Sequence, residues 1–230
     1  MEQDGTVVAA ALMTPPFNLV LAKPRTGAAL GLLAEQLHGL GVELPGVTGA
    51  VPEVDGFAAA WERLAGVRRR VRMRQGICAA EAARPPVSVP GRLRRATPAD
   101  RPLVIDWWRA FEDESLPADG ARIGAEANVD RRLASAAGGI ALWEDVRPVS
   151  LAAFGGRTPH GVRIGPVYTP PELRRRGYAS ALVAELTQDL LDEGRDFCFL
   201  YTDLANPTAN LLYRTIGYER VAESVDYALD

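Results

Sequence analysis

Residues 169–183 read TPPELRRRGYASALV, with Arg174, Arg175 and Arg176 directly ahead of Gly177 and an apolar helical pattern. The first turn of a helix presents unpaired N–H groups and the positive end of the helix dipole, a seat for phosphate. Gly177 admits a ligand close to the backbone because no Cβ stands in the way. Ala179 keeps the entry clear, and guanidinium groups add charge-assisted hydrogen bonds. A loop of spacing R-x-x-G-x-A can therefore hold an anion. A solvated charge run would look the same in isolation, but the context sharpens the reading. Strand text, VRIGPVYT, leads in, and Leu182, Leu186 and Leu190 share one face of the helix that follows.

The rest of the chain makes this basic site a local one. Its 230 residues carry a formal net charge of −3, and 47% of them are hydrophobic. A mildly acidic globular chain has no general attraction for nucleic acid or membrane surfaces. Arg68, Arg70, Arg72 and Arg74 alternate with Arg69, Val71 and Met73, which reads as a solvated sheet face rather than a nucleic-acid surface. Cys78 and Cys198 sit in apolar strand text and are expected to be buried free thiols, as suits a reducing, cytoplasmic setting. His38 lies in helical text and His160 in a turn; with no CxxC present, no metal site is expected. No signal peptide or membrane-spanning run is expected. The sequence has neither the G-x-G-x-x-G of dinucleotide folds nor the G-K-[S/T] of a P-loop.

The elements that must position the loop alternate. In the first half, residues 6–13 and 18–22 read as strands around Pro15-Pro16. A helix follows over 26–41, then a short strand near 45–51, a helix from Pro52 to Gly66 and a strand over 67–81. Residues 83–90, ARPPVSVP, form the expected linker between a unit at 1–82 and one at 91–230. After it come a strand, a helix N-capped by Thr97 with Pro98 at its first position and Asp100 in a capping box, and a helix over 123–139. A hairpin, the strand VRIGPVYT, the helix after Gly177, the strand DFCFLYTD, a helix N-capped by Asn206 and a last strand complete the chain. Strands alternating with helices predict a mixed α/β sheet covered by helices. The closing order, strand-strand-helix-strand-helix-strand, repeats that of the first half, which reads as an internal repeat lacking its opening elements.

With its strand and helix, the motif at Arg174, Gly177 and Ala179 resembles the Q/R-x-x-G-x-G/A acyl-CoA signature of the GNAT superfamily of N-acetyltransferases. NPTANLLYRTIGY, with Asn206, Tyr213, Gly217 and Tyr218, resembles that family's later helix and stands in the expected order. The resemblance covers roughly residues 91–230 and is weaker over 1–90. It implies a GNAT-type, mostly antiparallel sheet flanked by helices, in tandem with a truncated, degenerate GNAT-like first unit. In that unit LAKPRTGAAL, with Lys23, Arg25 and Gly27, only echoes the signature and is expected to hold no cofactor.

The resemblance also implies the chemistry, which is transfer of an acetyl group from acetyl-CoA to a primary amine by direct transfer in a ternary complex. Arg174, Arg175, Arg176, Gly177, Tyr178, Ala179 and Ser180 would receive the pyrophosphate. Val167, Tyr168 and Thr169 would contact pantetheine and the thioester through their backbone, and Asn206 would reach the cofactor unless it serves only as a cap. Tyr213 would protonate the leaving thiolate. The base stays open among Glu112, Asp113, Glu114 and Glu144, with Glu114 and Glu144 as first choices. The clustered carboxylates would give an amine-attracting cleft walled by Trp107, Trp108 and Phe111. A non-catalytic acyl-CoA-binding module is the alternative, and a longer acyl group is not excluded. The acceptor stays open among antibiotic, polyamine, amino acid and protein amine, as does assembly into a homodimer.

Overall fold

The near-continuous apolar runs of GIALWED and RPVSLAAFG are buried on both faces, because helices cover both sides of the sheet these strands enter. In the computed structural model, which describes every residue except residue 4, the first half contains β1 (Glu2–Gln3), β2 (Thr6–Val7), β3 (Ala11–Leu12) and β4 (Leu19–Leu21). It continues with α1 (Ala28–Gly39), β5 (Gly46–Ala50), α2 (Glu53–Ala65) and β6 (Arg69–Ala80). The second half contains β7 (Arg92–Arg95), α3 (Arg101–Ser115), α4 (Ala125–Leu133), β8 (Gly139–Asp145), β9 (Arg147–Gly155) and β10 (Gly161–Tyr168). It ends with α5 (Tyr178–Asp192), β11 (Phe197–Asp203), α6 (Pro207–Thr215) and β12 (Glu219–Leu229). The strands β8 to β10 sort by parity. Ile140, Leu142, Leu151 and Ala153 pack beneath α3 and α4 with Val104, Trp108 and Val129. Ala141, Trp143, Ala152 and Phe154 pack beneath α5 with Leu182, Leu186 and Leu190. Each fully buried leucine of this kind contributes about 1.5–3 kcal/mol.

One ten-stranded sheet runs through both halves in the order β3-β4-β5-β12-β6-β11-β10-β9-β8-β7. Outward from the central β6–β12 pair, β11, β10 and β9 on one side match β5, β4 and β3 on the other. The pairs β4–β5 and β10–β11 are both parallel, and both central strands are antiparallel to their neighbours. The repeat is therefore present in the topology, and each half lends its last strand to the other. β6 lies between β11 and β12, so Cys78 and Ala80 belong to the core under α5. β12 lies against β5, so Val225 and Tyr227 belong to the core under α1 and α2 with Phe57 and Trp61.

Local differences from the expected elements have local causes. The strand text at 6–13 breaks in two, because the backbone around Val8 to Ala10 bonds to Met1, Ala22 and Arg25 instead of a ladder. There Val8 and Ala9 tuck against Ala29 of α1. The helix expected over 123–139 stops at Leu133, and Ser135 Oγ accepts from the Ala137 N–H, a side-chain bond that competes with helix. The expected capping box at Thr97 and Asp100 is present, on a 3-10 turn leading into α3. Arg68, Arg70 and Arg74 are exposed, as a solvated face requires, and Arg72 alone of that face is tucked in. Arg72 is only 10% exposed at its side chain and, with Arg70, holds Asp119 from the loop after α3. No helix among the described residues is long and apolar enough to cross a membrane.

Candidate functional site

The parallel pair β10–β11 is short. Its register covers only Gly161↔Phe197, Val162↔Cys198 and Arg163↔Phe199, and the strands part beyond that point. On its other side β10 loses register with β9 between Ile164 and Val167, where Gly165 and Pro166 lie. Proline has no N–H to give a ladder, and a bulge bends the strand. From Gly165 to Tyr168, β10 thus has no ladder partner on the β11 side among the described residues.

A cleft of about 370 Å³ opens where the strands part. Trp108, Phe111 and Glu112 of α3 and Arg132 of α4 form one wall; Gly165 to Val167 and Tyr201 to Asp203 form the floor; Asn206 and Tyr213 of α6 stand opposite. Phe17, Met73 and Gln75 of the first half also line it, as do Arg122 and Arg163. Arg70 and Arg72 hold the loop after α3 at this rim through Asp119.

Tyr213 is half-buried, with its ring edge-on to Tyr218 at 6.0 Å, and burial pushes its hydroxyl up to about 12. The phenol therefore holds its proton throughout the neutral range. Asn206 caps α6, its Oδ1 accepting from the Ala209 N–H at 3.0 Å, and also lines the cleft. Trp108 and Phe111 wall the cleft as expected, whereas Trp107 turns to Tyr168, ring centroids 6.3 Å apart.

The carboxylates separate. Glu112 lines the cleft and accepts from Trp108 Nε1 at 3.0 Å. Glu114 points instead to the loop before α5, accepting from Arg174 at 2.6 Å and from the Tyr168 hydroxyl at 3.3 Å. Glu144 sits at the β7–β8 edge, bound by Arg94, and does not line the cleft. Asp113 pairs with Arg122 at the rim.

The loop of residues 169–177 is held by its own side chains. Arg174 Nε donates to the Thr169 carbonyl at 2.8 Å, and Ser150 Oγ donates to the Tyr168 carbonyl and meets Thr169 Oγ1 at 2.8 Å. Arg174, Arg175 and Arg176 are exposed. Arg175 and Gly177 have φ of 65° and 83°, so the chain turns sharply into the first turn of α5. Tyr178 is buried and donates to Asp145 at 2.6 Å, which gives it a structural place beneath the loop; Ala179 and Ser180 are partly open. The space left by the missing Cβ of Gly177 is taken up by Val89 of the linker, whose Cγ2 would lie 2.9 Å from such an atom. In the first half, Gly27 at the head of α1 has φ of −63°, so the left-handed entry seen at Gly177 is not repeated.

Arg132 and Arg163 carry no local mark that sets them apart from the other arginines of the chain. Arg132 lies over the Trp108 ring with its Cζ at 4.8 Å, and its Nε is buried without a hydrogen-bond partner among the described residues. Arg163 lies over the Tyr201 ring at 4.9 Å. Burial lowers the Arg132 guanidinium to about 10, and enclosure by the cleft walls lowers Arg163 as well. Such isolation depends on which elements meet, which no local pattern records.

Known proteins bear on this arrangement through family and fold. Residues 142–226 match the family described as FR47-like protein. No curated protein matches the chain in sequence. A GCN5-related N-acetyltransferase from Kribbella flavida is similar in structure, with TM-score 0.66, 17% identity and coverage of 96% of this chain and 86% of that one. A GCN5-related N-acetyltransferase from Sphaerobacter thermophilus has TM-score 0.63 and 20% identity over 97% of this chain and 77% of its own. A tandem GNAT protein from the clavulanic acid biosynthesis pathway has TM-score 0.60 and 13% identity over 99% of this chain and 81% of its own. The chain thus shares the fold of GCN5-related N-acetyltransferases, a tandem GNAT protein among them, with an FR47-like segment at residues 142–226.

Proposed function

We propose that the protein transfers an acetyl group from acetyl-CoA to a primary amine directly within a ternary complex, its catalytic side lying in residues 91–230 with β6 supplied by the first half. The observation that carries this reading is the parting of β10 and β11 beyond Arg163 and Phe199, which leaves β10 backbone free beside the cleft that Tyr213 lines. Acetyl-CoA, when bound, supplies an activated acyl group and a thiolate leaving group. Val167 and Thr169 offer backbone groups to pair with its pantetheine amides, as an added strand would. An N–H at Val167 or Tyr168 faces the growing negative charge on the carbonyl oxygen. The arginines at 174–176 and the first turn of α5 meet the pyrophosphate, and Val89 must give way for a phosphate to approach Gly177 closely.

Proton movements close the cycle. The attacking amine forms the new C–N bond as the C–S bond breaks, and Tyr213 gives its proton to the leaving sulfur. Glu112 is the carboxylate on the cleft wall placed to take the amine's proton, directly or through water; Glu114 and Glu144 are engaged with arginines elsewhere. Two measurements test the reading. Titration with acetyl-CoA should show saturable one-to-one binding. Tyr213→Phe should keep that binding while turnover falls by about 10²-fold or more, the scale of a lost general acid. Binding with no turnover for any amine would favour the acyl-CoA-binding module instead, and turnover unaffected in Tyr213→Phe would remove Tyr213 from the mechanism.

A further inference from the structure

Several arginines in this chain are matched by carboxylates. Arg69 pairs with Glu62, Arg94 with Asp100 and Glu144, Arg101 with Asp130, Arg109 with Glu126 and Arg174 with Glu114. Of the arginines that reach the cleft, Arg122 pairs with Asp113 at the rim. Arg132 and Arg163, which also line the cleft, do not follow this pattern. Neither Arg132 nor Arg163 is ion-paired among the described residues, and burial together with the neighbouring charges of Arg131 and Arg163 disfavours the charged form of Arg132. Each rests over an aromatic ring, which answers the charge of a guanidinium but leaves its N–H donors unused. One such donor, Arg132 Nε, is buried with no partner. Two like charges facing one small cavity, with unspent donors and lowered proton affinity, constitute a site poised for an anion.

The same cavity carries carboxylates at other points of its lining, Glu112 on α3 and Asp203 at the end of β11. From this we infer that the acceptor is a small amino acid-like molecule, whose carboxylate is gripped by Arg132 and Arg163 while its amine lies toward Glu112. The inference rests on reading this cleft as the acceptor side of an acyl-transfer site. Guanidinium groups match a carboxylate with paired hydrogen bonds. A singly charged carboxylate also suits a cavity that holds Glu112 and Asp203 better than a doubly charged phosphate does. The volume, about 370 Å³, lies at the small end of ligand pockets. A polyamine, with positive charge along its whole length, would meet these arginines with repulsion.

Matched pairs test this directly. Wild-type protein is titrated, alone and with saturating CoA, with a panel of amino acids and with their decarboxylated amines, by calorimetry and thermal shift. The amino acids should bind and their decarboxylated partners should bind at least about tenfold more weakly, as expected when buried charged donors lose their acceptor. Arg163→Gln should erase that preference. Its side chain is solvent-reachable and its loss opens no core cavity, so it keeps the test valid should Arg132→Gln, which unstacks Trp108, fail to fold. Equal or tighter binding of the amines, or no binding by any amino acid, overturns the inference. A tighter hold on phosphoethanolamine than on β-alanine also overturns it, in favour of a phosphate-bearing acceptor. Failure of acetyl-CoA to bind, with amino acid binding intact, would count against the acyl-transfer reading and leave the anion site standing.

Discussion

Arg174 Nη2 lies 2.6 Å from Glu114 Oε2, so the loop ahead of α5 is tied to the end of α3, 60 residues earlier in the chain. The same carboxylate accepts from Tyr168 at the end of β10. One side chain thus fixes the relation between the expected phosphate loop and the helix that walls the acceptor cleft. Both partners of the pair are 41% exposed at their side chains, so the contact contributes about 1 kcal/mol or less. Glu114→Gln should therefore weaken acetyl-CoA binding only a few-fold and leave turnover at saturation within about twofold. A loss of turnover as deep as that of Tyr213→Phe would instead mark Glu114 as the base.

Gly177 is a position where glycine is required on two grounds. Its φ of 83° disfavours any Cβ, and Val89 already fills the space that atom would take. Gly177→Ala should cost about 1–2 kcal/mol from the backbone alone and lower the melting temperature by several degrees. Adding Val89→Ala should restore the steric part and leave the backbone part. A single variant as stable as wild type would show that the left-handed entry to α5 is not needed.

Arg94 holds Asp100 through two hydrogen bonds, at 2.7 and 2.8 Å, and so keeps its carboxyl far below the usual carboxylate range. A depressed carboxylate stabilises the fold above its unfolded value, about 3.9, and that stability drains away as pH falls toward the folded value. Arg94→Gln should lose about 2 kcal/mol at pH 7. Its stability should change less steeply than wild type between pH 5 and the acid limit, so the two proteins converge in acid. Urea unfolding at several pH values reads this; a difference that stays constant with pH would mean that Arg94 acts through packing.

Because β6 lies between β11 and β12, a break in the linker should not separate the halves. A protease site placed within residues 83–90 should yield fragments that co-elute until denaturant is added. Removing the first fragment would strip the edges of both β11 and β12, and such edges aggregate. Elution of the second fragment alone, folded and monomeric, would show that the exchange of strands is dispensable.

Helices and strands were legible because each rests on local patterns. Gly66 and Asn206 mark helix ends by backbone freedom and capping, and the short unbroken apolar runs of β8 and β9 mark buried strands. The motif at Arg174, Gly177 and Ala179, and Tyr213 one strand of text later, could likewise be read in one dimension. Nothing local told β6 and β12 to trade places, since antiparallel pairing between strands some 150 residues apart leaves no mark in either one's spacing. Nor did the text distinguish Glu112 from Glu114 and Glu144. They differ only in which arginine or indole each meets, and that is settled by how α3 lies across the sheet. The same holds for Arg132 and Arg163. In sequence they are two arginines among many, and only the meeting of α4 with β10 over the parted strands leaves them facing one cavity with no carboxylate paired to either. The sequence by itself determined the elements and the family pattern, because these depend on neighbours within a few residues. The tertiary structure decided the pairing of the halves and the charge of the cleft, because these depend on contacts between residues far apart in the chain.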